Sequence, residues 1–218
     1  MPYAGPTPVA LQPRVRAAAA VVALTAWTGL AIQFAATLGR VASPAAAVWV
    51  LGGYFTILTN LLVAVLWTGI AAARPAFAAP RLVGGATLAI GLVGVVYYLL
   101  LRGLVALSGA DLFADWVLHT ATPVLVPLYW LACVSKGALT RRDPLAWALY
   151  PLAYFAYALV RGAATHRYPY PFLDVGRLGW PRTAGNALAI ALGFMAAGYA
   201  VVWLDGRLGR APRAAQAA

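Results

Sequence analysis

The sequence contains no glutamate, and its five aspartates are set against sixteen lysines and arginines. Charged residues make up only 10% of the chain and hydrophobic residues 63%, whereas a soluble domain is usually about 25% charged and about half apolar. This composition excludes a water-soluble globular domain. A net charge of +11 suits nucleic-acid binding in a soluble protein, but here the arginines separate apolar runs, as they do at the ends of membrane spans. We expect membrane lipid as the partner and no nucleic acid.

The chain has few residues that could bind a metal or take part in redox chemistry. Cys133 is the one cysteine, so an internal disulfide is excluded, and there are two histidines. No HExxH, CxxC, Walker or dinucleotide-binding pattern is present. A catalytic metal would depend on His119 together with Asp111 or Asp115. We therefore expect no metal site and no cofactor.

Six apolar stretches approach the roughly 20 residues that a spanning helix needs. They cover residues 17–38, 46–73, 82–101, 116–134, 144–160 and 184–204. The first is longer than the apolar region of a signal peptide, which favours a retained helix. We predict an all-α polytopic membrane protein, a single domain over residues 1–218 built as a bundle of six transmembrane helices.

The basic residues predict the orientation of this bundle. With a cytoplasmic N-terminus, ten of the sixteen lie on the cytoplasmic side and six on the outer side. Short cytoplasmic loops carry an excess of Lys and Arg. We therefore predict a multi-pass protein of the cell (plasma) membrane with both termini in the cytoplasm.

Two clusters of polar residues fall within the spans, where ionisable groups often mark function. In the fourth span, Asp115 precedes His119 by four residues, so both side chains share a helix face and the carboxylate can orient the imidazole. An interfacial His bonded to a carbonyl or headgroup is an equal alternative. In the second span, Thr56, Thr59 and Asn60 lie on neighbouring faces of the helix. Threonine–carbonyl and interhelical amide bonds are the structural alternative for that cluster.

In the predicted topology, both clusters lie in the outer half of the membrane. Thr56 is about 15 Å below the outer end of its span and His119 about 6 Å, at 1.5 Å per residue. A hydroxyl beside an imidazole is the minimum for nucleophilic acyl transfer, in which the His takes the proton and the Thr oxygen attacks. A lipid ester is the substrate that reaches this depth. Either Thr56 or Thr59 fits the nucleophile.

Three segments carry a resemblance to a known family. The segments Tyr54-Phe55-Thr56-Ile57-Leu58-Thr59-Asn60-Leu61-Leu62, His119…Pro123 and Tyr170-Pro171-Phe172-Leu173-Asp174 resemble those of bacterial six-pass proteins labelled Pr-six-Pr. The chain is also similar to the related androgen-induced-protein family of membrane hydrolases. That family uses an intramembrane threonine and histidine to cleave fatty acid esters of hydroxy fatty acids. The resemblance implies Thr56 as nucleophile and His119 as base.

Supporting roles are predicted for several further residues. Asp115 would orient His119, and Asn60, or else backbone amides, would stabilise an oxyanion. The segment 161–183 carries Arg167 and Asp174, and it fits either a lid that holds a substrate carboxylate or a structured interfacial loop that pins the flanking spans. Tyr54, Arg167 and Asp174 are the candidate substrate-binding residues.

Two functions from different classes follow from this sequence. The first is an intramembrane threonine-type hydrolase of lipid esters. The second is a non-catalytic membrane protein, either a small transporter or a lipid-binding scaffold. A proton-coupled carrier is disfavoured because all five aspartates lie at span ends or in loops.

Overall fold

The computed structural model describes residues 12–214, with side chains up to Gly209. Regular structure in this part of the chain is helical, as the sequence predicts. The principal helices are α1 (Pro13–Leu38), α2 (Pro44–Leu51), α3 (Phe55–Ala71), α4 (Pro80–Leu101), α5 (Gly109–Cys133), α6 (Asp143–Thr165) and α7 (Val175–Ala214). The ends of the chain, to which the prediction of cytoplasmic termini applies, lie largely outside the described residues.

Four of these helices are long and apolar enough to cross a membrane: α1, α4, α5 and residues Val175–Gly209 of α7. The pair α2 and α3 makes a fifth candidate if it forms one span. Helix α6 has 23 residues, but its tyrosines, prolines and tryptophan make it less apolar than the others. Within the described residues the number of candidate spans is therefore four or five, and the predicted six are not confirmed.

The span predicted over residues 46–73 is not one continuous helix but is broken near its start. Helix α2 ends at Leu51, helix α3 begins at Phe55, and the two meet at a 100° bend. Gly52 and Gly53 occupy the bend, and α6 satisfies the carbonyls that it frees. Tyr154 donates to the Gly53 carbonyl at 2.9 Å and Tyr157 to the Gly52 carbonyl at 3.1 Å. Tyr154 and Tyr157 of α6 therefore stabilise this break through hydrogen bonds.

Two π-helical segments interrupt the long helices and face each other. Residues Tyr97–Leu101 end α4, and Val117–Ala121 lie within α5. Insertions of this kind are frequent at functional sites. Gly94 permits the close approach of the two helices, because a Cβ at this position would lie 2.9 Å from the Cβ of Pro123.

The interior is an apolar core between the helices, and the exterior is also apolar. Helix α1 packs most extensively on α3, while α4 packs against α5 and α6 against α7. The buried core includes Val63, Trp67, Ile70, Ile90 and Val126. Many leucines, valines and tryptophans remain exposed on the outer faces, as is typical of helices that contact lipid.

The predicted loop over residues 161–183 is mostly helical. Helix α6 continues to Thr165, and α7 begins at Val175, with a local break at Gly179 where φ is 74°. Between them, Tyr170 and Leu173 are buried in the core. This segment therefore ties α6 and α7 to the bundle, which agrees with the structural alternative for the loop.

Candidate active site

The structure brings the two polar clusters into direct contact. The Oγ1 atom of Thr56 lies 3.1 Å from Nε2 of His119, across 63 positions of sequence. Thr56 lies one residue inside α3, and His119 is about 15 Å from the start of α5 at 1.5 Å per residue. Both residues thus lie at the level where α3 begins.

His119 continues this contact to a carboxylate. Its Nδ1 lies 3.0 Å from Oδ1 of Asp115 and 3.1 Å from the backbone oxygen of the same residue. With Nδ1–H donated to these oxygens, the Nε2 lone pair is left to accept the hydroxyl proton of Thr56. The arrangement is a chain of hydroxyl, imidazole and carboxylate, the same order as in a hydrolase triad.

Tyr97 supports this chain from α4. Its hydroxyl donates to Oδ2 of Asp115 at 2.5 Å. Its ring stacks on the imidazole of His119 with a centroid distance of 4.2 Å. Both carboxylate oxygens of Asp115 are therefore used, and the plane of the imidazole is fixed.

Thr56 also lines an apolar cavity of about 560 Å³ between α3, α4, α6 and α7. The lining residues are mostly Leu, Val, Ala, Ile and Phe, and none of them is charged. The hydroxyl-bearing residues of the lining are Thr56, Tyr154 and Tyr170. A cavity of this size and character suits a small or chain-like apolar ligand with one polar group near Thr56.

Thr59, the alternative nucleophile, and Asn60, the candidate oxyanion donor, are hydrogen-bonded to groups other than His119. Thr59 is fully buried, and its hydroxyl pairs with that of Tyr150 at 3.1 Å. Asn60 donates to the carbonyl oxygens of Thr56 at 2.9 Å and of Leu118 at 3.2 Å. Both amide protons are thereby used, so Asn60 ties α3 to α5 and has no proton left for an oxyanion.

The three predicted substrate-binding residues are not gathered at this site. Tyr54 is partly exposed and packs edge-on against Tyr170, with ring centroids 6.1 Å apart. Oδ1 of Asp174 accepts the backbone N–H of Arg177 at 3.0 Å, as a residue does at a helix start. Arg167 is exposed, and its carbonyl accepts from the Thr165 hydroxyl. A substrate-binding role for them stays a prediction.

Two residues at the site lay outside the roles that sequence reasoning assigned. Tyr97 lies one helix away from His119, and no pattern in the chain links the two. Tyr170 stands in the segment Tyr168-Pro169-Tyr170-Pro171-Phe172, whose prolines indicate a fixed backbone. Its hydroxyl oxygen accepts the backbone N–H of Thr56 at 3.3 Å. Only the three-dimensional fold shows these contacts.

Metal ligands are sparse in the same region. Within residues 12–209, no three His, Cys, Asp or Glu side chains lie together as a metal site would require. Comparison with known proteins adds no further assignment, because no protein family, no curated protein and no solved structure matches this chain.

Proposed function

We propose that this protein is an intramembrane hydrolase of lipid esters, with Thr56 as nucleophile and His119 as general base. Asp115 orients His119 and stabilises its charged form. The observation that carries the proposal is the continuous chain from Thr56 Oγ1 to His119 at 3.1 Å and from His119 to Asp115 at 3.0 Å. A relationship to the androgen-induced-protein family belongs to the same proposal, since the residues that carry that resemblance include both Thr56 and His119.

The geometry supports a two-step acyl transfer. Nε2 of His119 takes the Thr56 proton as Oγ1 forms a bond to the ester carbonyl carbon, and the carbonyl π electrons move to its oxygen. Collapse of this intermediate re-forms the carbonyl and breaks the bond to the alcohol, which leaves with the proton from His119. Water, deprotonated by His119, then attacks the acyl-threonine and releases the fatty acid with Thr56 restored.

The position of Thr56 in α3 favours this role. As the second residue of a 17-residue helix, it lies in the first turn, where the macrodipole stabilises developing negative charge. The Asp115 carboxylate stabilises the imidazolium that forms in both steps. Stacked Tyr97 keeps the imidazole plane in place during proton transfer.

The cavity supports an uncharged lipid ester as the substrate class. Its apolar lining matches an acyl chain, and the proposed nucleophile Thr56 is one of its lining residues. Within the proposal, α6 also crosses the membrane, as the fifth of six spans in chain order. The bundle lies in the cell membrane with both termini in the cytoplasm, and the site opens in the outer half. Lipid then reaches the site from the bilayer.

Hydrolysis of a long-chain fluorogenic ester by the detergent-purified protein tests the proposal. Thr56→Val removes the hydroxyl at nearly constant shape and is expected to reduce turnover to the uncatalysed rate, as is His119→Ala. Thr56→Ser retains a hydroxyl and is expected to retain measurable turnover.

Thr59→Val is the matched control, because it removes a buried hydroxyl from the same helix without touching His119. Turnover equal in wild type and Thr56→Val, with both proteins folded, contradicts the proposal. In that case a lipid-binding scaffold accounts for the apolar cavity.

A further inference from the structure

The proposed chemistry requires a donor for the carbonyl oxygen that becomes negative, and Asn60 does not supply one. Both protons of its amide are donated to backbone carbonyls. A donor for this oxygen must lie within about 3 Å of it and close to the nucleophile. It must also line the cavity that admits the ester.

Tyr170 lies close to the nucleophile and lines this cavity. Its side chain is buried, it lines the same cavity as Thr56, and its oxygen lies 3.3 Å from the Thr56 backbone nitrogen. In that bond the phenol oxygen is the acceptor, so the hydroxyl proton is not consumed by it. The ring stacks on that of Phe172 at 5.2 Å between centroids, packs edge-on against Tyr54 and contacts the tilted ring of Tyr154.

Burial also keeps this phenol in its donor form. Desolvation raises the pKa of Tyr170, while the neighbouring amide and hydroxyl of Thr56 act in the opposite direction.

We propose that Tyr170 is a further catalytic residue, whose hydroxyl donates a hydrogen bond to the oxyanion of the ester's tetrahedral intermediate. This inference rests on the proposed function. The phenol is not deprotonated in the step. Its proton stays on Tyr170, and its hydrogen bond to the carbonyl oxygen becomes stronger as that oxygen gains negative charge. The segment Tyr170–Asp174 thereby has a role at the reaction centre besides joining α6 to α7.

The test is Tyr170→Phe, which removes one oxygen and retains the stacked ring. Loss of an oxyanion donor is expected to lower kcat by about 10²–10³-fold, with KM nearly unchanged. Tyr150→Phe is the matched control, since it removes a buried hydroxyl that bonds Thr59 and not Thr56, and it is expected to leave kcat unchanged.

Affinity for a long-chain trifluoromethyl ketone gives a second measurement that a structural role does not affect. This probe forms a tetrahedral oxyanion adduct at Thr56, so Tyr170→Phe should weaken it by the same factor as kcat/KM. Binding of the corresponding alkane chain, which lacks the carbonyl, should be unchanged. If Tyr170→Phe weakens the binding of both probes equally, the assignment of Tyr170 is wrong. The same holds if its kcat is within twofold of wild type while Thr56→Val is inactive. Neither result contradicts the proposed function. A wild type without turnover refutes the proposed function, and this inference with it.

Discussion

Replacing the carboxylate of Asp115 by an amide tests the third member of the proposed chain. Asp115→Asn keeps the size of the side chain and removes the charge that faces His119 at 3.0 Å. At that distance and an effective dielectric constant of about 20, the attraction to an imidazolium is about 5.5 kcal/mol. Since about 1.4 kcal/mol corresponds to a factor of ten in rate, the upper limit of the effect lies between 10³ and 10⁴.

Two contacts reduce that limit. The backbone oxygen of Asp115 still accepts Nδ1–H at 3.1 Å, which preserves the reactive tautomer, and Tyr97 still holds the ring. We expect kcat to fall by about 10²–10³-fold, with little change in KM. The assay is ester hydrolysis under saturating and limiting substrate.

Asp111→Asn is the control for this prediction. It removes an aspartate from the same helix, whose solvent-exposed ion pair with Arg40 at 2.7 Å contributes little to stability and does not involve His119. Its kcat should equal that of the wild type. If Asp115→Asn also stays within threefold of wild type, the carboxylate does not assist His119 and the triad account is wrong.

Three further predictions concern the surroundings of the site. Tyr97→Phe retains the stacked ring and removes the bond to Asp115, so we expect a tenfold or smaller loss of kcat in the same assay, which an unchanged kcat contradicts. Gly94→Ala places a Cβ 2.9 Å from that of Pro123, whereas a Cβ at Gly91 meets nothing within 4 Å. The temperature of thermal unfolding and the turnover rate should therefore fall in Gly94→Ala and not in Gly91→Ala. Equal effects in both variants refute this packing. Ala191→Trp fills the cavity, and we expect it to abolish hydrolysis of long-chain esters while butyrate esters remain substrates; equal loss for both chain lengths contradicts a chain-binding role.

The helical character and the principal polar pair could be predicted from the sequence because they depend on local signals. Apolar runs of near-spanning length identify helices irrespective of their neighbours. The four-residue spacing of Asp115 and His119 places them on one face in any helix. Polar residues are rare in this chain, so Thr56 and His119 stood out among few candidates.

The remaining features depend on contacts between distant segments. The break at Gly52 and Gly53 could not be read from an apolar run, because it is stabilised by Tyr154 and Tyr157 of α6. Asn60 was a reasonable oxyanion donor until its partners on two helices were known. The neighbours of Thr56 in space, Tyr170 among them, are set by tertiary packing, on which periodicity carries no information.

The most direct test of the central claim is covalent labelling of Thr56. A fluorophosphonate probe reacts with a hydroxyl only where a base activates it, and mass mapping of the adduct identifies the residue. The account predicts labelling at Thr56 that persists in Thr59→Ala and is lost in His119→Ala. A folded wild-type protein that stays unlabelled, or that is labelled at Thr59, contradicts it.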